Sequence, residues 1–215
     1  MKKIITIVLL SVSILSVDAQ VDKLAGPRVG VTMVQAGSLA SILRKDVSLF
    51  SDDIREEWTG STGKYGAVMS QYGWQWESRF ADGGNVTGIV EWIALVGGME
   101  RGMFLPSVSS MVGIRTASGI EFAAGPNLSL GGIAMVIGAG YNFKFGNLNL
   151  PVNIAYVPSI DKRYQHSGEY YEILVDPDGI EDSGDEYYEG YETDYSVTHP
   201  TGARVSIMVG FNLSK

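Results

Sequence analysis

The stretch Ala203-Arg204-Val205-Ser206-Ile207-Met208-Val209-Gly210-Phe211-Asn212-Leu213 alternates strictly between two kinds of residue. Ala203, Val205, Ile207, Val209, Phe211 and Leu213 fall on one face, and Arg204, Ser206, Met208, Gly210 and Asn212 on the other. A period of two belongs to an extended strand whose faces meet different surroundings. The segment upstream repeats the rule with other residues: Leu148, Leu150, Val152, Ile154 and Tyr156 oppose Asn147, Asn149, Pro151, Asn153 and Ala155. In 131–145 the apolar set is Ile133, Met135, Ile137, Tyr141, Phe143 and Phe145, and the opposite set is Ala134, Gly138, Gly140, Asn142 and Lys144.

Further out, Tyr72, Trp74, Trp76 and Phe80 alternate with Gln71, Gln75, Glu77 and Arg79, and Ile120, Phe122 and Ala124 with Glu121, Ala123 and Gly125. Val108, Val112 and Ile114 oppose Met111, Gly113 and Arg115, while Val29, Val31 and Met33 oppose Arg28, Gly30 and Thr32. The least regular case is 86–96, where Glu91 shares its face with Ile89, Ile93 and Leu95. With it, the pattern predicts eight strands at about 27–35, 66–80, 85–97, 107–116, 119–127, 131–145, 147–157 and 201–213.

The links alternate in length. Asp82-Gly83-Gly84, Ala117-Ser118-Gly119 and Gly146-Asn147 are short and glycine-bearing, as hairpin turns require. The stretches 36–65 and 158–199 are long, 98–106 is of middling length, and Pro126-Asn127-Leu128-Ser129 is a short link that breaks the trend. An up-and-down barrel with tight periplasmic turns and longer outer loops has this layout. Aromatic residues agree with it. With the N-terminus inside, Phe80, Phe122, Phe143, Phe145 and Phe211 fall at one rim, and Tyr72, Trp74 and Tyr156 at the other, as interfacial girdles do. The expected fold class is therefore all-β: a transmembrane antiparallel up-and-down barrel of about eight strands with a closed interior.

Residues 1–19 are set apart. Lys2 and Lys3 precede an apolar run from Ile4 to Leu15, and Val17 and Ala19 supply the small residues of a cleavage site before Gln20. This reads as a secretory signal peptide, shorter than the roughly 20 residues of a membrane span. Residues 20–215 then form a single barrel domain. Removing the signal leaves 14 bases against 23 acids, a formal charge of −9, which argues against nucleic acid as a partner. The chain has no cysteine, which excludes disulfides and a lipid anchor on cysteine.

Four features bear on chemistry. Residues 159–198 hold twelve acids, from Asp161 to Asp194, with seven tyrosines among them: Tyr164, Tyr170, Tyr171, Tyr187, Tyr188, Tyr191 and Tyr195. The composition suits a solvated, self-repelling loop, or an adhesive or cation-binding one in which tyrosines supply contact area. Asp176-Pro177-Asp178-Gly179 with Glu181 and Asp182 offers calcium ligands without the spacing of an EF-hand. His166 and His199 flank the loop but bring no third metal ligand, and no nucleophile motif marks a hydrolase. The inward set Arg28, Glu77, Arg79, Glu91, Arg115, Glu121, Lys144 and Arg204 reads as a paired plug, because eight strands enclose only enough room for side chains; a conduit is the alternative. Finally, Ser38 caps a short helix over 38–46, with Leu39, Ile42 and Leu43 at helical spacing, lying across the barrel mouth or covering the loop core.

Gly125-Pro126-Asn127-Leu128-Ser129, Asn147-Leu148-Asn149-Leu150-Pro151-Val152 and Gly210-Phe211-Asn212 carry a family resemblance. The chain resembles the small outer-membrane β-barrel proteins of Gram-negative bacteria, especially a group of uncharacterised porin-like barrels, over the mature chain outside its two long loops. Such barrels usually end on an aromatic residue, whereas this chain runs from Phe211 to Lys215. The resemblance implies location in the cell outer membrane, with lipid and the barrel assembly machinery as partners. It transfers no active site: no catalytic, cofactor-binding or metal residue is expected, and no enzyme activity. The expected function is structural, or binding and display through the acidic tyrosine-rich loop at 158–199 toward an extracellular protein or a cation. A small-solute channel or barrel lipid hydrolase is the alternative, and a soluble periplasmic lipocalin-like binder the second.

Overall fold

In the computed structural model the described residues are 24–175 and 187–213. The segment 1–19, expected to be a signal peptide, and the acidic run Asp176–Asp182 therefore lie outside them.

Alternation becomes geometry in eight barrel strands. They are β1 (Leu24–Val34), β2 (Ala67–Asp82), β3 (Val86–Gly97), β4 (Leu105–Thr116), β5 (Ile120–Ser129), β6 (Gly132–Phe145), β7 (Leu148–Val157) and a last strand built from β10 (Arg204–Gly210) and β11 (Asn212–Leu213). Every neighbouring pair is antiparallel, and β10 pairs with both β1 and β7, so the sheet closes on itself and has no free edge. All eight predicted strands are present. The irregular one is real: Ile89, Glu91, Ile93 and Leu95 share the inward face of β3, and Trp92 points outward, opposite Trp76.

The short links gather at one end, termed the lower end, and the long ones at the other. Below lie the turns between Asp82 and Val86, Thr116 and Ile120, and Phe145 and Leu148. Above lie 35–66, 98–104, the turn at Leu130-Gly131, and the segment from Pro158 to Ala203. One predicted link is corrected. Pro126-Asn127-Leu128-Ser129 is strand, and β5 runs on to a tight turn at Leu130-Gly131. Pro126 is tolerated because the β4–β5 ladder skips from Ser109↔Asn127 to Val112↔Ala124, so no partner on β4 needs its missing N–H.

A second correction concerns 158–199. Between Val157 and Ala203 the chain forms a two-stranded hairpin, β8 (Asp161–Val175) with β9 (Tyr187–Pro200), paired from Asp161↔Pro200 to Val175↔Tyr187. Charge alone would leave such a segment solvated. β-Branched and aromatic residues on both strands support pairing, and the irregularity between His166 and Glu169 adds a bulge. The last barrel strand also starts at Arg204, later than expected. Ala203 is buried ahead of it, with its carbonyl accepting the N–H of Gln35.

The helix α1 spans Ser38–Arg44. Ser38 is its first residue and not its cap; Gly37 stands in the cap position without a side chain, and the Ser41 hydroxyl donates to the Gly37 carbonyl at 3.0 Å. Ala40 and Leu43, both fully buried, pack on Val34, Met69 and Leu105, which point inward at the upper ends of β1, β2 and β4. The helix thus caps the upper mouth with apolar side chains.

Candidate functional site

The barrel wall separates two environments, and their order is the reverse of a soluble protein. Val31, Trp74, Val112, Ile137, Ile154 and Ile207 are exposed on the outer face. Gln75, Glu77, Glu91, Arg115, Glu121 and Asn142 are buried within. Buried charge is tolerable only when paired and hydrogen-bonded. Arg115 on β4 donates through both terminal nitrogens to Glu77 on β2, each at 2.6 Å, and through Nε to Glu121 on β5. Asn153 on β7 donates to the second oxygen of Glu121 at 3.3 Å, and Gln75 donates to Glu91 at 2.6 Å. Thr32 bridges Gln71 and Ser206 at 2.5 and 2.7 Å, and Arg204 reaches Asn127 at 3.2 Å and Ser129 at 3.4 Å.

Three guanidiniums, of Arg28, Arg115 and Arg204, thus share the interior with three carboxyl groups, of Glu77, Glu91 and Glu121. Arg28 lies low on β1, where it donates to the Pro151 carbonyl at 3.4 Å. Gly210 leaves room for its guanidinium; a Cβ there would overlap it, so any larger residue would require Arg28 to shift. The interior cavity among these groups measures about 80 Å³. Ligand pockets run to roughly 300–1,000 Å³, so this space suits a few waters.

Of the inward set expected from sequence, the structure joins Glu77, Arg115 and Glu121 directly and gives Glu91 to Gln75. Lys144 is exposed at the lower rim, and Arg79 is half-buried beside the β2 irregularity at Phe80. The neutral partners Gln71, Gln75, Asn127 and Asn153 carry as much of the network as the charges. Their signal in sequence is only that they share the inward parity.

The upper end is built from α1, the 46–66 segment and the hairpin. His199, buried on β9, stacks on Trp58 with ring centroids 3.7 Å apart, and its Nε2 lies 2.7 Å from the Glu56 carbonyl. His166 stacks on Tyr195 at 4.6 Å, with Nε2 3.0 Å from the Arg55 carbonyl. A carbonyl only accepts, so Nε2 is the donor in both contacts. The two histidines therefore clip the hairpin to neighbouring carbonyls of the 46–66 segment and do not converge on a metal. Among the described residues no group of three His, Asp or Glu is placed to hold one. Trp58 was not singled out from sequence; its signal was a lone tryptophan within an acidic loop stretch.

The 98–104 loop is tied down by Glu100, whose carboxylate accepts the hydroxyl and, at 3.1 Å, the N–H of Ser70. Slight burial disfavours ionisation of Glu100, and the hydrogen bonds from Ser70 outweigh it, holding the carboxyl below its usual range.

No family model and no curated protein matches this chain. A search of solved structures returns the β domain of the Bordetella autotransporter BrkA, 10% identical, covering 89% of this chain and 100% of that one at a TM-score of 0.26. That score is too low for anything to be carried over from it.

Proposed function

We propose that this chain is a Gram-negative outer-membrane β-barrel that acts as a scaffold for its upper loops, displayed outside the cell. The observation that carries the reading is the inverted wall, apolar outside and ion-paired inside, on a sheet with no edge. A soluble lipocalin-like binder would turn the apolar face inward. The signal-like segment supports export, and the Arg115–Glu77–Glu121 cluster together with α1 favours a closed barrel over a small-solute channel. The role proposed is binding or structural display, carried by the upper loops, and not enzymatic. Partners under this reading are outer-membrane lipid, the assembly machinery, and an extracellular protein or cation at the acidic tyrosine-rich hairpin.

The test is fractionation. The mature protein should resist carbonate extraction, sediment with the outer membrane and migrate differently on gels before and after heating. Recovery as a soluble periplasmic monomer would overturn the membrane reading. A pull-down with and without residues 159–198 tests the display role.

A further inference from the structure

A large space beside the described site lies at the upper rim and not inside the barrel. An open groove of about 850 Å³ runs between the 46–50 stretch and the 102–106 stretch, floored by Ile42, Val47, Leu49, Phe104, Pro106 and Leu130. Beyond Phe50 it meets a second depression of about 340 Å³ that shares Ile42, Leu49 and Leu130. Phe50 is 94% exposed and Phe104 70%, so large apolar rings stand uncovered along the groove.

Two observations say what covers it. The first is continuity. Phe104 and Pro106 extend the outward face of Val108 on β4, Leu130 extends that of Leu128 on β5, and Val108 and Leu128 pair directly. The strand side of the floor, Phe104, Pro106 and Leu130, is therefore the upward extension of the apolar outer wall, and α1 with the 46–50 stretch supplies the rest. The second is charge. In a chain with 24 acids and 16 bases, Lys45, Arg101, Arg55 and Lys162 line the two depressions against Asp46, Asp52 and Asp53. Arg44 neutralises Asp46 at 3.1 Å, and Arg101 is held in place by donating to the Leu43 carbonyl at 3.1 Å. The lining thus reverses the sign of the protein.

We infer that this groove seats the acyl chain of an anionic lipid of the surrounding leaflet, its phosphate-bearing headgroup meeting Lys45 and Arg101. The inference rests on the membrane placement proposed above. An apolar floor open to the bilayer supplies the chain site, and basic groups at its border supply headgroup selectivity.

The chain lacks cysteine, so single labels can be placed at will. Bimane on Leu49→Cys would report the groove and bimane on Ile137→Cys the mid-wall, in full-length protein refolded into phosphatidylcholine vesicles. Nitroxide-labelled phosphatidylglycerol or phosphatidylcholine, with the nitroxide at mid-chain, would be the quencher. At Leu49→Cys, quenching by phosphatidylglycerol should exceed that by phosphatidylcholine at least about fivefold, the preference that each of the two basic side chains confers at an anionic headgroup. Lys45→Glu with Arg101→Glu should remove the preference. Lys45→Glu alone, which keeps the Arg101–Leu43 bond, should reduce it even if the double variant fails to fold. Quenching at Ile137→Cys by both lipids, with none or equal quenching at Leu49→Cys, overturns the groove and leaves the membrane reading standing. Absence of quenching at Ile137→Cys overturns both.

Discussion

Arg115 and Glu77 face each other across the barrel lumen from strands that are not neighbours, β4 and β2, and meet through two parallel hydrogen bonds of 2.6 Å. β3 lies between them in the wall, so the pair is a strut through the interior and not a ladder contact. Such bidentate pairs are strong, and breaking one inside a barrel strands the remaining charge. Arg115→Met should therefore cost about 3–5 kcal/mol, read as a lower midpoint of urea unfolding in lipid vesicles. Adding Glu77→Gln should recover part of the loss, while Glu121 keeps its bond from Asn153 but has lost the arginine; no loss in the single variant would refute the strut.

The two faces of β10 should respond oppositely to substitution. Ile207→Arg or Val205→Arg places a charge on the outer wall and should cost about 2–4 kcal/mol near the bilayer midplane. Ser206→Ala removes one hydrogen bond to Thr32, at 2.7 Å, and should cost about 1 kcal/mol. Assembly efficiency and heat-modifiable migration check this, and equal tolerance at all three sites would contradict the proposed environment.

His199 and His166 should differ in weight as hairpin clips. His199→Ala loses a buried ring stacked on Trp58 together with its bond to the Glu56 carbonyl, whereas His166 is more exposed. The first should loosen the 52–66 segment by about 1–2 kcal/mol, seen as faster hydrogen exchange there, and the second by less. Identical exchange in both variants and the parent would show that the hairpin is not fastened this way.

Replacing 165–196 by a short Gly-Ser link should leave a heat-modifiable barrel. The hairpin pairs with itself and belongs to a separate two-stranded sheet, and His199 stays in place to hold the 46–66 segment. Protease added to whole cells should cut the intact hairpin. Failure of the deleted form to insert would make the hairpin part of the fold.

Glu100 gives the upper rim an acid limit. Its folded pKa lies below the ordinary 4.5, so its contribution is present above that value and is lost as pH falls through the lowered one. An NMR titration of the Glu100 carboxyl in detergent micelles should place its midpoint below 4.5, and Glu100→Gln should abolish the acid-induced loosening of the 98–104 loop. A midpoint at or above 4.5 would refute the Ser70 clip.

The sequence by itself determined which residues face which way. A period of two is a local property, written in each strand's own alternation, and Ala203–Leu213 or 131–145 can be read without knowing any neighbour. Turn positions were legible for the same reason, since glycine marks a conformation of its own residue. Tertiary structure alone decided what the inward residues meet. Glu77, Arg115 and Glu121 come from three strands, and whether three charges repel or form a strut depends on register and barrel shear, which no single strand encodes. It also decided the strand at Pro126, where a gap in the β4 ladder excuses the missing donor, and the order in 161–200, where pairing between β8 and β9 competes with charge repulsion that composition alone weighs too heavily. The rim groove was invisible for the same cause: its floor joins α1, the 46–50 stretch and the ends of β4 and β5, brought together only by closure of the barrel.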